Sequence, residues 1–300
     1  MRLSVALLRG LLAFTCYVIN TLFWMLPILC VSALKLLPLN SITNGCSYLL
    51  DHCASNWISV NALIERVFHP VTVNVSGAQH FSTKEWYMVT ANHQSWVDIL
   101  ILQSIFNRKI PFLKFFLKKE LLYVPVLGLA WWALDFPFMH RYSTSQLRKN
   151  PKLKGKDIEV TRAACAKFKN KPVSVMNFVE GTRFSPQKHQ KQNSPFKHLL
   201  RPKAGGMAFT LSAMNDCINK LIDVTIHYPE TTPSFWQYIS GQVNQVYVHI
   251  SVNDIDENMK GDYANDRKFK QGFQQSLTER WNSKDLIFEQ LIEKSKEGRK

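Results

Sequence analysis

Two short strings carry the residue types of a proton-transfer site. The first is Asn92-His93-Gln94-Ser95-Trp96-Val97-Asp98. On one helix, five residues at about 100° each would set His93 and Asp98 roughly 140° apart, so their side chains can meet only across a turn. Ser95 followed three residues later by Asp98 is close to a capping box, with Ser95 as N-cap and Asp98 at N3. His93 then lies just outside a helix, where the carboxylate reaches one ring nitrogen, fixes the tautomer and leaves the other nitrogen to take a proton. The second string is Phe178-Val179-Glu180-Gly181-Thr182-Arg183. Gly181 permits positive φ or close backbone approach, and Arg183 offers a planar fork suited to a phosphate. Taken singly, each string also fits a plainer reading: an ordinary helix start with an exposed histidine, and a tight turn with a solvated arginine.

The surrounding pattern places both strings at strand ends. Apolar or alternating runs at 71–75, 86–90, 173–179, 221–226 and 246–252 read as strands. Helical patterns cover 57–68, 96–106 and 157–170, and the charged tail 266–300 sets Phe269, Phe273, Leu277 and Trp281 at intervals of four. Alternating strands and helices predict an α/β sheet covered by helices, and open sheets of that kind hold ligands beyond their strand ends.

Charge and hydropathy narrow the partner. The 300 residues carry 37 Lys and Arg against 22 Asp and Glu, a net charge of +15, and the stretch 101–203 alone holds 21 basic and 5 acidic residues. That stretch should meet an anionic partner. Residues 11–34 contain no charge, and 24 residues at about 1.5 Å each reach roughly 36 Å, enough for a bilayer core of about 30 Å. The run is too long for a secretory signal, whose apolar region spans about 7 to 15 residues. Pro27 inside it allows either one kinked spanning helix or a hairpin with arms 11–26 and 28–37. Arg2 and Arg9 favour a cytoplasmic N-terminus, so the hairpin, or a further crossing after Leu39, would keep the rest of the chain on the cytoplasmic side. The expected organisation is a membrane-embedded helical segment, 1–40, followed by a catalytic domain, 41–300, with a helical tail. A nucleic-acid binder would explain the basic stretch but neither the apolar run nor the paired strings. A serine hydrolase would want GxSxG, which the sequence lacks, and six scattered cysteines with no CxxC or HExxH imply neither a disulfide framework nor a metal.

Taken together, the strings resemble the glycerolipid (lysophospholipid) acyltransferase family, in particular 1-acylglycerol-3-phosphate O-acyltransferases of the bacterial membrane-bound type. Asn92, His93 and Asp98 match its N-H-x4-D block, and Glu180 to Arg183 its E-G-T-R block. Lys118, Glu120, Leu121, Pro125 and Gly128 match a K-x-E-L-x3-P-x2-G block, and Phe136-Pro137-Phe138-Met139-His140-Arg141 fits the aromatic stretch that follows. Val224-Thr225-Ile226-His227-Tyr228-Pro229 looks like the fourth block, with His227 interrupting its usual aliphatic run.

The resemblance implies the family's fold, a mixed α/β sheet covered by helices, and a reaction. His93 would deprotonate an acceptor hydroxyl that attacks an acyl thioester, with Asp98 orienting the ring. Lys118, Arg141 and Arg183 would hold the acceptor phosphate, with Glu180, Gly181 and Thr182 forming the turn beside it. Acyl-CoA or acyl carrier protein would be the donor, co-substrates rather than cofactors, and the basic loop 188–203 could meet either. A lysophospholipid, foremost lysophosphatidate acylated at sn-2, would be the acceptor, in the bacterial inner membrane with the catalytic domain facing the cytoplasm. Another lysophospholipid, or an inactive adaptor that keeps the fold, stays open.

Overall fold

The computed structural model describes residues 2–36, 40–78, 80–139, 156–169, 171–214 and 217–298. Two long helices lead: α1 (Arg2–Leu34) and α2 (Asn40–Phe68). They are followed by β1 (Thr72–Gly77), β2 (Trp86–Ala91), α3 (Val97–Phe106), β3 (Leu113–Phe115) and β4 (Leu117–Lys118). Next come α4 (Leu127–Ala133), β5 (Phe138–Met139), α5 (Lys156–Phe168) and β6 (Ser174–Phe178). The chain continues through α6 (Pro186–Gln192), α7 (Ala204–Ala213), β7 (Ile218–His227), α8 (Phe235–Ile239), β8 (Gln245–Asp254) and α9 (Arg267–Glu297).

Six strands form one mixed sheet in the order β1-β8-β7-β2-β6-β3, and β4 pairs with β5 separately. β7 and β8 are antiparallel, while β7, β2, β6 and β3 run parallel to one another. The C-terminal ends of these four neighbours therefore open on one edge, and both candidate strings leave the sheet there. Side chains alternate between two cores, as the strand period requires. Along β2, Tyr87, Val89 and Ala91 join the core under α1, α2 and α3, whereas Met88 joins the one under α5, α7 and α9. The tail follows its spacing, with Phe273, Leu277 and Trp281 buried on α9.

Of the two forms that Pro27 allows, one helix and a hairpin with arms 11–26 and 28–37, the structure shows the single helix. α1 runs through Pro27 without interruption, and the chain reverses only after Leu34. A helix-interior proline costs about 3 kcal/mol. Met25, Ile28 and Val31 flank it, all buried, and at about 1.5–3 kcal/mol per buried aliphatic side chain they outweigh that cost. The helix expected over 57–68 is the second half of α2. Its first half is rich in Asn, Ser, Gly and Cys, poor helix formers in isolation. There Cys46, Leu50, Cys53 and Ala54 are buried at helical spacing, so packing overrides propensity. A polar seam fixes the antiparallel register of the pair: Asn20 Nδ2 donates to Asn61 Oδ1 (2.8 Å) and to the Trp57 carbonyl, and Tyr17 Oη donates to Glu65 (3.0 Å).

Candidate active site

β2 delivers Asn92 and His93 to the sheet edge, and Asn92 fastens that edge. Its side chain donates to the Ile226 carbonyl (2.9 Å) and accepts from the Ile226 amide (2.8 Å), splicing β2 to the end of β7. α3 then turns Asp98 back toward His93. The expected capping box is half present: Asp98 Oδ2 accepts from the Ser95 amide (2.9 Å), but Ser95 Oγ accepts from Val97 rather than Asp98 and donates to the Pro233 carbonyl. The helix starts one residue later than expected, at Val97.

His93 Nδ1 lies 2.9 Å from Asp98 Oδ2, which also accepts from the Gln94 amide (2.7 Å). Asp98 is fully buried, and a carboxylate already holding two amide donors offers Nδ1 only an acceptor. The imidazole proton therefore sits on Nδ1 and the Nε2 lone pair is left to act as a base. Asp98 Oδ1 accepts from Tyr228 Oη (2.7 Å). Burial first, and then the facing Asp98 carboxylate, raise the Tyr228 hydroxyl well above its usual range, so it stays a donor. Phe178 stacks on the His93 ring at 3.9 Å and 15°, which fixes the ring plane.

The second string is stapled to the first. The Phe184 amide donates to the His93 carbonyl (2.7 Å), and the Gly181 amide to the Phe178 carbonyl (2.8 Å). Gly181 has φ +68°, and a Cβ there would lie 3.1 Å from Lys203 Cδ, so positive φ and the close lysine both call for glycine. Glu180 is fully buried beneath the turn and has no surface to offer a ligand. Burial pushes its carboxyl up to about 8, against the pull of the Leu200 amide, the Lys284 ammonium and the His93 amide. Thr182 Oγ1 accepts from Lys188 Nζ (2.9 Å), which also donates to the Arg183 carbonyl (2.8 Å). Arg183 is exposed, its guanidinium 5.3 Å from the Trp96 ring centre in a cation–π contact.

His93, Asp98 and the whole Glu180–Arg183 turn are thus brought together. Lys118 is exposed on β4, just past the end of β3 on the same sheet edge. Arg141 and His140 lie outside the described residues. Sequence reasoning assigned no role to Tyr228, Phe178 or Lys284, and gave Lys188 and Lys203 only a place in the basic loop expected to meet the donor. Tyr228 and Asp98 are 130 residues apart, so only the β2–β7 pairing could reveal their contact. Lys284 on α9 is also fully buried, donating to the Val224 carbonyl (2.7 Å) and pairing with Asp223 (2.9 Å). Asp223 in turn accepts from Thr90 Oγ1 (2.6 Å) on β2, which links the tail to the strand that carries His93.

Comparison with known proteins bears on this geometry. The family model "Acyltransferase" matches residues 72–228, from the first strand to the tyrosine on Asp98. The chain belongs to this acyltransferase family. Among curated relatives, 1-acyl-sn-glycerol-3-phosphate acyltransferase 3 of Arabidopsis thaliana is 25% identical over 189 residues, 58% of this chain and 47% of that protein. The alpha form from Homo sapiens is 31% identical over 133 residues, 44% of this chain and 41% of that protein. The matched stretch thus spans less than half of each acyltransferase relative. In fold, the chain is similar to the 1-acyl-sn-glycerophosphate (LPA) acyltransferase PlsC of Thermotoga maritima, with TM-score 0.54, 17% identity and coverage of 94% of this chain and 97% of that one.

Proposed function

We propose that this acyltransferase moves a fatty acyl group from an acyl thioester, carried by coenzyme A or acyl carrier protein, to the free hydroxyl of a lysophospholipid. Lysophosphatidate acylated at sn-2 is the preferred acceptor, in keeping with the printed names of the relatives. His93 Nε2 takes the hydroxyl proton as the oxygen attacks the thioester carbonyl, while Asp98 retains the Nδ1 proton and balances the imidazolium. Collapse of the tetrahedral intermediate breaks the C–S bond, and the leaving thiolate takes the proton back from His93. General-base action of this kind contributes about 10²- to 10⁴-fold, and positioning of two substrates much of the rest. The turn beside the base supplies cation for the acceptor phosphate, with Arg183 exposed next to His93 and Lys188 holding the turn's shape. Lys118 and Arg141 complete that set in this reading.

The observation that carries the proposal is the staple between the two strings, the Phe184 amide on the His93 carbonyl, which holds the Glu180–Arg183 turn beside His93. Thiol release by purified protein, with lysophosphatidate and with lysophosphatidylcholine as acceptors, tests it. Release dependent on lysophosphatidate is expected; thiol release indifferent to any lysolipid would overturn it.

The same reading seats α1 in one leaflet. By length and composition α1 is long and apolar enough to cross a membrane. Leu8, Leu12, Ile19, Phe23 and Leu26 expose one stripe of it. Yet both ends rest on the catalytic domain: Arg9 and Gly10 against Gly241 and Trp236, and Lys35 in an ion pair with Asp135. Those anchor points are 26 residues apart, about 39 Å of helix, more than a bilayer core of about 30 Å. A helix tied at both ends to one polar domain lies along the membrane surface with its apolar stripe in the lipid. Acyl thioesters are made in the cytoplasm, so the cytoplasmic face is the proposed side.

A further inference from the structure

A cavity of about 530 Å³ lies away from the His93–Asp98 dyad, between the facing ends of α1 and α2, β3 and α5. Among the described residues its charges do not balance. Lys35, Lys114 and Lys171 line it with side chains only 16%, 3% and 11% exposed, and Lys167 stands at its rim. Against these four cations stand, among the described residues, two carboxylates: Asp135, paired with Lys35 and Lys167, and Asp51, paired with Lys171 and 3.9 Å from Lys114. Inside, three buried lysines face two carboxylates, a surplus of one positive charge where an uncompensated charge is expensive, and Lys167, 69% exposed at the rim, brings a second to the mouth. Lys114 registers the strain: burial brings its ammonium down to about 8, and Lys171 and Lys35 work against the help from Asp51 and Asp135.

Walls and rim narrow the ligand. Trp132, Phe136, Phe138 and Phe168 form apolar walls, and at the mouth Leu36 and Trp132 are 71% and 50% exposed. The α1 stripe assigned to lipid ends at this mouth. We propose that the cavity binds a phosphomonoester, the dianion that ends some anionic lipid headgroups and also occurs free as inorganic phosphate. Such a group carries about −1.5 to −2 charge at pH 7, enough to meet the one surplus charge inside and the Lys167 ammonium at the rim. The apolar rim favours the lipid-borne form. Lys35 follows the last residue of α1, Lys114 comes from β3 and Lys171 from the residues before β6, so the bound anion ties the helical hairpin to the sheet. The site is separate from the acyl-transfer reading and needs no catalytic residue.

Calorimetric titration of the purified full chain in detergent tests it. Because the active site would also take a phosphatidate, the chain carries Arg183→Ala throughout, and the probes are dihexanoyl phosphatidate, dihexanoyl phosphatidylcholine and inorganic phosphate. Phosphatidate should bind, the choline lipid should not, and Lys35→Gln with Lys171→Gln should weaken phosphatidate at least about tenfold, since charge-assisted bonds are lost. Inorganic phosphate binding as tightly as phosphatidate assigns the site to the free anion; much weaker phosphate binding assigns it to the lipid. Asp135→Asn, which removes a negative charge and leaves every lysine, should tighten phosphatidate at least about threefold. No binding of either phosphate-bearing probe, binding untouched by the lysine changes, or weaker binding in Asp135→Asn overturns the proposal.

Discussion

Replacing Tyr228 with Phe removes one oxygen and leaves the ring that packs beside it. Asp98 Oδ2 keeps its contacts with His93 and the amides of Gln94 and Ser95, but Oδ1 has Tyr228 Oη as its hydrogen-bond donor in the structure and loses it. A hydrogen bond to a charged group is worth about 1.5–3 kcal/mol, and the carboxylate is fully buried, so water does not replace it. At about 1.4 kcal/mol per factor of ten, that is roughly 10- to 150-fold if the whole term acts on the transition state. Imidazolium formation at His93 draws on Asp98 most strongly in that state, so the loss should fall on kcat rather than on either KM. Thiol release by purified Tyr228→Phe, with both substrates varied, should therefore show kcat down at least about tenfold and the lysolipid KM little changed. Its melting temperature should fall as well, because a buried acceptor is left unpaired. A variant within twofold of wild type in kcat, and equal in melting temperature, would refute the reasoning that Tyr228 holds Asp98.

Three further outcomes follow from the site. Arg183→Ala should raise the lysolipid KM more than the thioester KM, by about 10- to 150-fold, with Arg183→Lys restoring only part of the loss; steady-state kinetics with both substrates varied would show an equal rise if the arginine served the donor. Glu180 holds its proton to about pH 8 in the folded chain against an ordinary 4.5, so between those values the folded chain binds a proton that the unfolded chain has released, and stability falls as pH rises through that window. Melting curves should show Glu180→Gln gaining on wild type from pH 5 to pH 8, and a constant difference would contradict the buried-acid assignment. Lys284→Met leaves Asp223 and the Val224 carbonyl without their ammonium, and denaturant titration should find a loss of about 3–5 kcal/mol; a change under 1 kcal/mol would mean the tail is not tied through this lysine.

Local pattern carried a large share of this architecture. The alternating run before Asn92, the apolar run before Glu180 and the spacing of Phe273, Leu277 and Trp281 are each short-range signals, and each element formed where its pattern lay. The His93–Asp98 contact was legible for the same reason, since five residues across a turn leave few geometries. What stayed hidden depends on pairing between distant segments. No spacing announces that β7 lies beside β2, and so none announces Tyr228 on Asp98 or Asn92 on Ile226. Pro27 left a hairpin open beside the single helix because its local penalty is plain in the sequence, while the packing of Met25, Ile28 and Val31 that overcomes it is not. Ser95 misled by one residue, because its hydroxyl found the Pro233 carbonyl, a partner 138 positions away.

The central claim is that His93 is the base of an acyl transfer, and the most direct measurement is thiol release by purified His93→Ala with lysophosphatidate and an acyl thioester. The rate should fall at least about 100-fold, the loss expected of a general base, with melting temperature and vesicle binding unchanged. A folded His93→Ala protein that keeps more than about a tenth of the wild-type rate would contradict it.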